Sequence, residues 1–249
     1  MPRQGRRAQP KMYTNLASWF HLVTDPASYA EEAGFFRRAL IEHGKPRPRT
    51  VLELGSGGGN NASHMKKHFA MTLVDLSPDM LKLSKTINPG LKHVQGDMRS
   101  VRLGRQFDAV FVHDAVMYMT TERDLSKAIA TAYAHTRPGG IALFVPDFTR
   151  EMFRPRTDCG GHDDGKRGLR YLEWTWDADP DDTHATVDFA YLLREPNGTI
   201  RVAHDRHTFG VFPRRDWLRL LREAGYRPRA LSWEHSDAGK LIAFLGVRT

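Results

Sequence analysis

The sequence predicts an α/β fold, a doubly wound and mostly parallel sheet that carries a small inserted antiparallel β-sheet as a lid. Three observations predict it. Short apolar runs alternate with helical segments from Val51 to Pro146, the pattern of right-handed strand–helix–strand crossovers. The period then falls to two residues between Leu172 and Val211, as half-buried antiparallel strands require. A helix and two further strands close the chain. The 249 residues suit one domain with an insertion, and 40% hydrophobic against 27% charged residues supports a packed core.

In chain order, residues 1–11 read as a disordered basic tail of Arg, Pro, Gln and Gly. Residues 12–44 read as a helical cover. Leu16, Trp19 and Phe20, then Phe35, Phe36, Ala39 and Leu40, recur at helical spacing, and Asp25-Pro26 divides them into two short helices. Val51–Leu54 is a buried strand, followed by a glycine loop and a helix near Asn61–Phe69. Thr72–Asp75 is a second strand, and Ser77 caps the helix Pro78–Lys85. His93-Val94 forms a brief third strand ending at Asp97, Asp108–Val112 a fourth, and Glu122–His135 a helix. Pro138-Gly139-Gly140 turns the chain into the fifth strand, Ile141–Pro146.

Residues 151–168, rich in Gly, Asp and Arg, read as a mobile loop. Leu172, Trp174 and Trp176 share one face; so do Val187, Phe189, Tyr191 and Leu193; so do His207, Phe209 and Val211. We assign these faces to the interior of a hairpin or three-stranded sheet turning at Asn197-Gly198. A helix at Arg215–Ala224, ended by Gly225, precedes the strands Ala230–Trp233 and Leu241–Val247, which a turn at Asp237-Ala238-Gly239 joins. The expected organisation is thus a core at 45–150 and 213–249, with an inserted lid at 151–212.

Lys and Arg number 37 against 29 Asp and Glu, a net charge of +8 that first suggests a nucleic-acid partner. Yet Arg3, Arg6, Arg7 and Lys11 supply half of that excess, so the body is only modestly basic. The single cysteine, Cys159, excludes an intramolecular disulfide and any multi-cysteine metal site. Asp158–Asp164 includes Cys, His and Asp but is one short loop, so no metal is expected. No apolar run approaches the roughly 18 residues of a membrane span, and no apolar stretch follows the basic N-terminus. A cytoplasmic protein is expected.

Glu53-Leu-Gly55-Ser56-Gly57-Gly-Gly59-Asn60 lies directly after a strand and before a helix. Glycines are needed there for positive φ and for close approach of the backbone to a ligand. The dinucleotide fingerprint Gly-x-Gly-x-x-Gly would put its last glycine at position 60, which is Asn. The spacing is instead Gly-x-Gly-x-Gly with an acid two residues before it.

These residues resemble the first motif of the class I S-adenosylmethionine-dependent methyltransferases. Other elements match in order: Asp75, 20 residues beyond Gly55; Asp97 in Gln95-Gly-Asp-Met98; Phe107–Asp114; and Pro138-Gly-Gly140. The resemblance implies a Rossmann-like, seven-stranded, mostly parallel sheet with an antiparallel last strand. It implies that Glu53, Gly55, Ser56 and Gly57 lie against the amino-acid part of the cofactor and that Asp75 accepts from both ribose hydroxyls. Leu76 and Met80 would pack on the adenine, and Asp97 and Met98 would lie beside it. Tyr13 and Trp19 would close over it, with His113 at the strand-four end. The small-molecule branch, and within it the amino-sugar N-methyltransferases of bacterial antibiotic pathways, is the nearest resemblance.

Methyl transfer requires alignment of nucleophile, methyl carbon and sulfur, and for some acceptors removal of one proton. A neutral imidazole suits that task. His113 and Asp114 end strand four, at the carboxyl edge where ligands bind. His207 points into the covered side of the inserted sheet, and Tyr118 is placed to orient an acceptor. These four are the catalytic candidates. A base-modifying enzyme would show Asn/Asp-Pro-Pro-Tyr/Phe after strand four; here the chain reads His113-Asp114-Ala-Val-Met-Tyr118. A small-molecule acceptor is therefore preferred to RNA or DNA, N-methylation to O-methylation, and a monomer or homodimer is expected. A dinucleotide-dependent oxidoreductase and a non-catalytic cofactor-binding module are the remaining alternatives.

Overall fold

The computed structural model describes residues 9–236 and 239–249; the first eight residues of the expected tail and the expected turn residues Asp237 and Ala238 lie outside them. Among the described residues, Lys11, the last of the expected tail, is ordered: Lys11, Met12 and Tyr13 form a 3₁₀ turn. A second 3₁₀ turn at Ala17–Trp19 leads into α1 (Phe20–Val23). The break at Asp25-Pro26 is real: the Asp25 carboxylate caps Ala27 N–H and Pro26 opens another 3₁₀ turn before α2 (Ala30–His43). The segment expected as the first helix is thus a chain of tight turns.

The core follows as β1 (Thr50–Leu54), α3 (Asn60–Met65), β2 (Ala70–Asp75), α4 (Pro78–Ile87), β3 (Lys92–Gln95), β4 (Phe107–His113), α5 (Glu122–His135) and β5 (Thr136–Val145). Ser77 caps α4 by accepting from Met80 N–H at 3.2 Å. The turn expected before β5 lies inside it: Thr136 already pairs with Phe107, and Pro138-Gly139-Gly140 loops out before Ile141 regains register opposite Ala109.

The inserted sheet has four strands rather than three: β6 (Arg156–Gly160), β7 (Gly168–Trp176), β8 (His184–Arg194) and β9 (Ile200–Gly210). β6 occupies part of the expected loop. It is an exposed edge strand, so nothing required it to alternate apolar and polar residues. The interior face assigned to β7 is also inverted. Leu172 and Trp174 are 50% and 55% exposed, and it is Leu169, Tyr171, Glu173 and Thr175 that turn inward. Register sets this outcome, since Tyr171 lies opposite Tyr191 and Glu173 opposite Phe189. The faces of β8 and β9 are as expected, with Val187, Tyr191, Leu193 and His207 buried.

The chain ends with α6 (Arg214–Glu223), β10 (Tyr226–His235) and β11 (Gly239–Arg248). The main sheet has the order β10-β11-β5-β4-β1-β2-β3, parallel except where β11 runs antiparallel to both neighbours. One face packs on α2 and α3 through Phe36, Leu40 and Met65, the other on α5 and α6 through Leu125, Ile129 and Leu221. Each such side chain contributes about 1.5–3 kcal/mol by leaving water. Strand order reverses between β1 and β4, and the carboxyl ends there open the crevice in which such folds bind ligands.

Candidate functional site

The first half of the site is built by a loop and two strand ends. Past β1 the chain doubles back through Gly55, Gly57 and Gly59, at φ of 76°, 51° and 80°. A side chain at Gly55 would also collide with Ala115 and Met98. Gly55 and Ser56 N–H donate to Val74 O at 2.8 and 3.0 Å, which pins the loop to β2. Asp75 fastens it further, accepting from Gly57 N–H and Ser77 N–H, each at 2.8 Å. Burial raises the Asp75 pKa, while N–H groups of Ser77, Gly57 and Leu76 oppose the rise. Each carboxylate oxygen keeps a lone pair for an outside donor.

Leu76 is 47% exposed beside Asp75, whereas Met80 is wholly enclosed, leaving Leu76 as the exposed member of the expected adenine-packing pair. Met98 is buried under Gly55. Asp97 is engaged by its neighbour: it accepts from Arg99 N–H at 2.8 Å and from the guanidinium at 2.6–3.1 Å, and Arg99 also reaches Asp124.

Of the two expected cover residues, Tyr13 faces Tyr118 and His207, whereas Trp19 packs elsewhere. Trp19 is buried among Met12, Leu16, Leu22, Leu169 and Tyr191, with the Arg167 guanidinium over its ring at 4.8 Å. Phe20 and His21, which open α1, face the glycine loop instead. His21 Nε2 lies 3.2 Å from Gly58 O, and a side chain at Gly58 would meet Phe20 and His21 at 2.7 and 2.8 Å.

Among the described residues, Glu53 Oε2, Ser56 Oγ and Asn60 Oδ1 are buried around this loop without a protein partner. An orphaned buried polar group costs about 1–3 kcal/mol. Burial pushes the Glu53 carboxyl up to about 8. The loop therefore presents polar atoms that the chain does not satisfy, beside a backbone cradle that a Cβ would fill. That arrangement fits the amino-acid and ribose parts of S-adenosylmethionine.

The second half contains two polar systems. In the first, His113 Nε2 lies 2.9 Å from Asp114 and 3.7 Å from Glu32 of α2. Its Nδ1 lies 3.1 Å from the Asn61 side-chain amide. Burial disfavours a charged ring, but Asp114 and then Glu32 outweigh it and lift the pKa to about 10. The carboxyl neighbours thus favour the imidazolium form of His113 over the neutral imidazole expected at this position. Asp114, at φ 28°, opens a 3₁₀ turn (Asp114–Tyr118), and Asp147 follows just beyond β5, whose Val145 lies opposite His113.

In the second system, the Tyr118 hydroxyl donates to Tyr13 at 2.9 Å and lies 2.8 Å from His207 Nδ1. His207 Nε2 lies 3.2 Å from Asp205, which also accepts from Met12 N–H at 2.9 Å. His207 and Asp205 are 4% and 5% exposed. The rings of Tyr13, Tyr118, Phe189 and Phe209 surround His207 at 4.9–6.0 Å. Burial lifts the Tyr13 and Tyr118 hydroxyls far above their ordinary range, so both remain protonated donors.

His113, Asp114, Tyr118 and His207 thus gather at one carboxyl edge. The sequence reading missed Glu32, Asp147, Asp205, Phe20 and His21. Only Asp205 had a local signal, two residues before His207 on one strand face.

Residues 51–140 match the methyltransferase-domain family. The chain is 28% identical to the dTDP-3-amino-3,4,6-trideoxy-alpha-D-glucopyranose N,N-dimethyltransferase of Streptomyces venezuelae, covering 88% of this chain and 91% of that one. It is 25% identical to the dTDP-3-amino-3,6-dideoxy-alpha-D-glucopyranose N,N-dimethyltransferase of Streptomyces fradiae, over 84% and 82%. Its fold is that of the sugar N-methyltransferase KedS8 from Streptoalloteichus, with a TM-score of 0.79, 24% identity and coverage of 100% and 97%.

Proposed function

We infer that this chain, an S-adenosylmethionine-dependent methyltransferase, methylates the amine of a small molecule, with an amino sugar of secondary metabolism as the acceptor class. The observation that carries the acceptor reading is the aromatic-walled cluster of Tyr13, Tyr118 and His207, which joins hydroxyl and imidazole groups to ring faces. A compact polar acceptor with an apolar side satisfies both. The inward residues of β8 and of β9 from Ala203 to Phe209 include neither Lys nor Arg, unlike a groove that tracks a phosphate backbone. The relatives act on nucleotide-linked amino sugars, as their names state, and that chemistry is the one we assign.

When bound, the cofactor supplies a methyl carbon activated by its sulfonium. Asp75 would accept from the ribose hydroxyls, and Glu53 and the loop backbone would hold the amino-acid end. Leu76 offers the exposed apolar surface for the adenine, with Asp97 and Met98 beside it. Phe20, His21 and Tyr13 exclude water from above the loop. Tyr118 and His207, braced by Asp205, orient the acceptor. Among the described residues no helix is long and apolar enough to cross a membrane. We place the enzyme in the cytoplasm, as a monomer or homodimer.

The test is a transfer assay with S-adenosylmethionine against three acceptors: a nucleoside-diphosphate amino sugar, its hydroxyl counterpart and an RNA. We expect one or two methyl groups on the sugar nitrogen by mass spectrometry. Transfer to the hydroxyl sugar or the RNA alone would overturn the reading.

A further inference from the structure

We propose that Glu173 of β7, with the rings of Tyr171 and Phe189 beside it, is the subsite that binds the acceptor's amino group in its ammonium form. This deepens the amine reading above and rests on it. Strand pairing makes the subsite: Glu173 lies opposite Phe189 and Tyr171 opposite Tyr191, and opposite residues of antiparallel strands point to the same face. On that face the Phe189 ring lies 4.9 Å from the His207 ring, 5.4 Å from Tyr191 and 6.1 Å from Tyr171. Glu173 therefore stands beside the aromatic cluster that carries the acceptor reading.

One oxygen of its carboxylate is fixed and the other is free. Thr175, 2% exposed, donates its hydroxyl to Glu173 Oε1 at 3.0 Å. No donor among the described residues reaches Oε2, and unlike Glu53 Oε2 it is not enclosed. Tyr171 and Phe189 are half-buried, so ring surface stays open next to it. An alkylammonium matches such a place in two ways. Its N–H groups donate to the free carboxylate oxygen, and its charge is attracted by the ring faces. An aliphatic amine is an ammonium at neutral pH, and attack on a methyl carbon leaves its nitrogen positive again. One subsite therefore serves both arriving acceptor and methylated product.

The charged groups on this face leave the place of a cation open. Arg156 and Asp158 of the edge strand β6 lie opposite Thr175 and Glu173, and both are exposed. Arg156 forms no ion pair with Glu173, and Asp158 accepts from Cys159 N–H. Asp205 and His207 of β9 are joined to each other, and Asp147 beyond β5 adds a further carboxyl. Burial holds the Tyr171 and Tyr191 hydroxyls above their ordinary range, so both are neutral. Burial likewise raises the Glu173 pKa, and Thr175 and then Arg156 oppose the rise. A bound ammonium would add to that opposition.

Glu173→Gln keeps the shape of the side chain and removes its charge. For a nucleoside-diphosphate amino sugar the KM should rise about 10- to 100-fold at neutral pH, with kcat within about threefold and melting temperature unchanged. The same nucleotide sugar with a hydroxyl in place of the amine, used as a competitive inhibitor, should bind wild type and variant equally. As pH rises through the pKa of the free amine, the wild-type KM should climb toward that of the variant. An unchanged KM, a KM difference that is constant with pH, or an equal loss of the hydroxyl sugar would overturn the proposal. If the variant does not fold, wild type decides: affinity for the amino sugar must exceed that for the hydroxyl sugar and lose this advantage at alkaline pH, and equal affinity is fatal. Wild-type transfer to the amine with an unaltered variant sinks the subsite alone; wild-type transfer only to the hydroxyl sugar sinks the amine reading.

Discussion

The two halves of the cleft are wired over very different distances along the chain. Around the glycine loop, Asp75 reaches Gly57, 18 residues away, and Ser77, two residues away, while Asp97 is held by Arg99, also two away. Across the cleft, Tyr118 meets His207 over 89 residues and Tyr13 over 105, and Asp205 takes Met12 N–H over 193. The loop of the first half is pinned once β1 and β2 have paired. The second exists only when cover, strand ends and inserted sheet are assembled. Damage to the first should therefore be confined to one ligand, and damage to the second should appear in turnover.

The strongest test of that contrast is His207→Ala. Turnover should fall roughly 10- to 1,000-fold while cofactor Kd stays within a factor of about three. If His207 only fills the core, the variant melts lower and its folded fraction turns over normally; measuring kcat beside melting temperature decides.

Asp75→Ala is the converse. Charge-assisted hydrogen bonds of roughly 1.5–3 kcal/mol are lost, so S-adenosylmethionine Kd should rise by about one to two decades in calorimetry with the fold intact. An unchanged Kd would remove Asp75 from the cofactor half.

A smaller, pH-dependent effect belongs to Glu53. Its pKa is raised to about 8 in the folded chain, so between the ordinary carboxylate range and that value the folded state holds an extra proton. Stability of the ligand-free protein should thus decline as pH rises across that window, and Glu53→Gln should flatten the decline. A cationic group bound against Oε2 would displace the proton. S-adenosylmethionine binding near pH 7 should then release up to about one proton in wild type and none in Glu53→Gln, read from calorimetry in buffers of different ionisation enthalpy. Equal release by both proteins would exclude Glu53 as its source.

The smallest effect is expected at Trp174, which the alternation had placed inside and which is 55% exposed. Trp174→Ser should shift stability by no more than about 0.5 kcal/mol in denaturant titration and leave kcat unchanged. A loss of several kcal/mol would restore Trp174 to the interior.

Legibility follows the same division. The Ser77 cap and the helix Glu122–His135 were readable because each depends on residues a few positions apart. β7 misled because Leu172 and Trp174 on one face are as apolar as Leu169 and Tyr171 on the other, and only pairing with β8 chooses between them. Trp19 misled for a related reason, since it is its neighbours Phe20 and His21, at the start of α1, that face the loop. Glu32, Asp147 and Asp205 act through partners on other elements, and no periodicity in one strand or helix announces such a meeting.

The short 3₁₀ turn Lys11–Tyr13 touches both halves at once. Lys11 Nζ donates to His204 O at 2.7 Å and Met12 N–H to Asp205 on the inserted sheet, while Tyr13 O accepts from the Ser77 hydroxyl at 2.5 Å over the cofactor-side helix. Three consecutive residues thus act as a single latch with two catches. Any displacement of this turn has to break hydrogen bonds to the inserted sheet and to the start of α4 together.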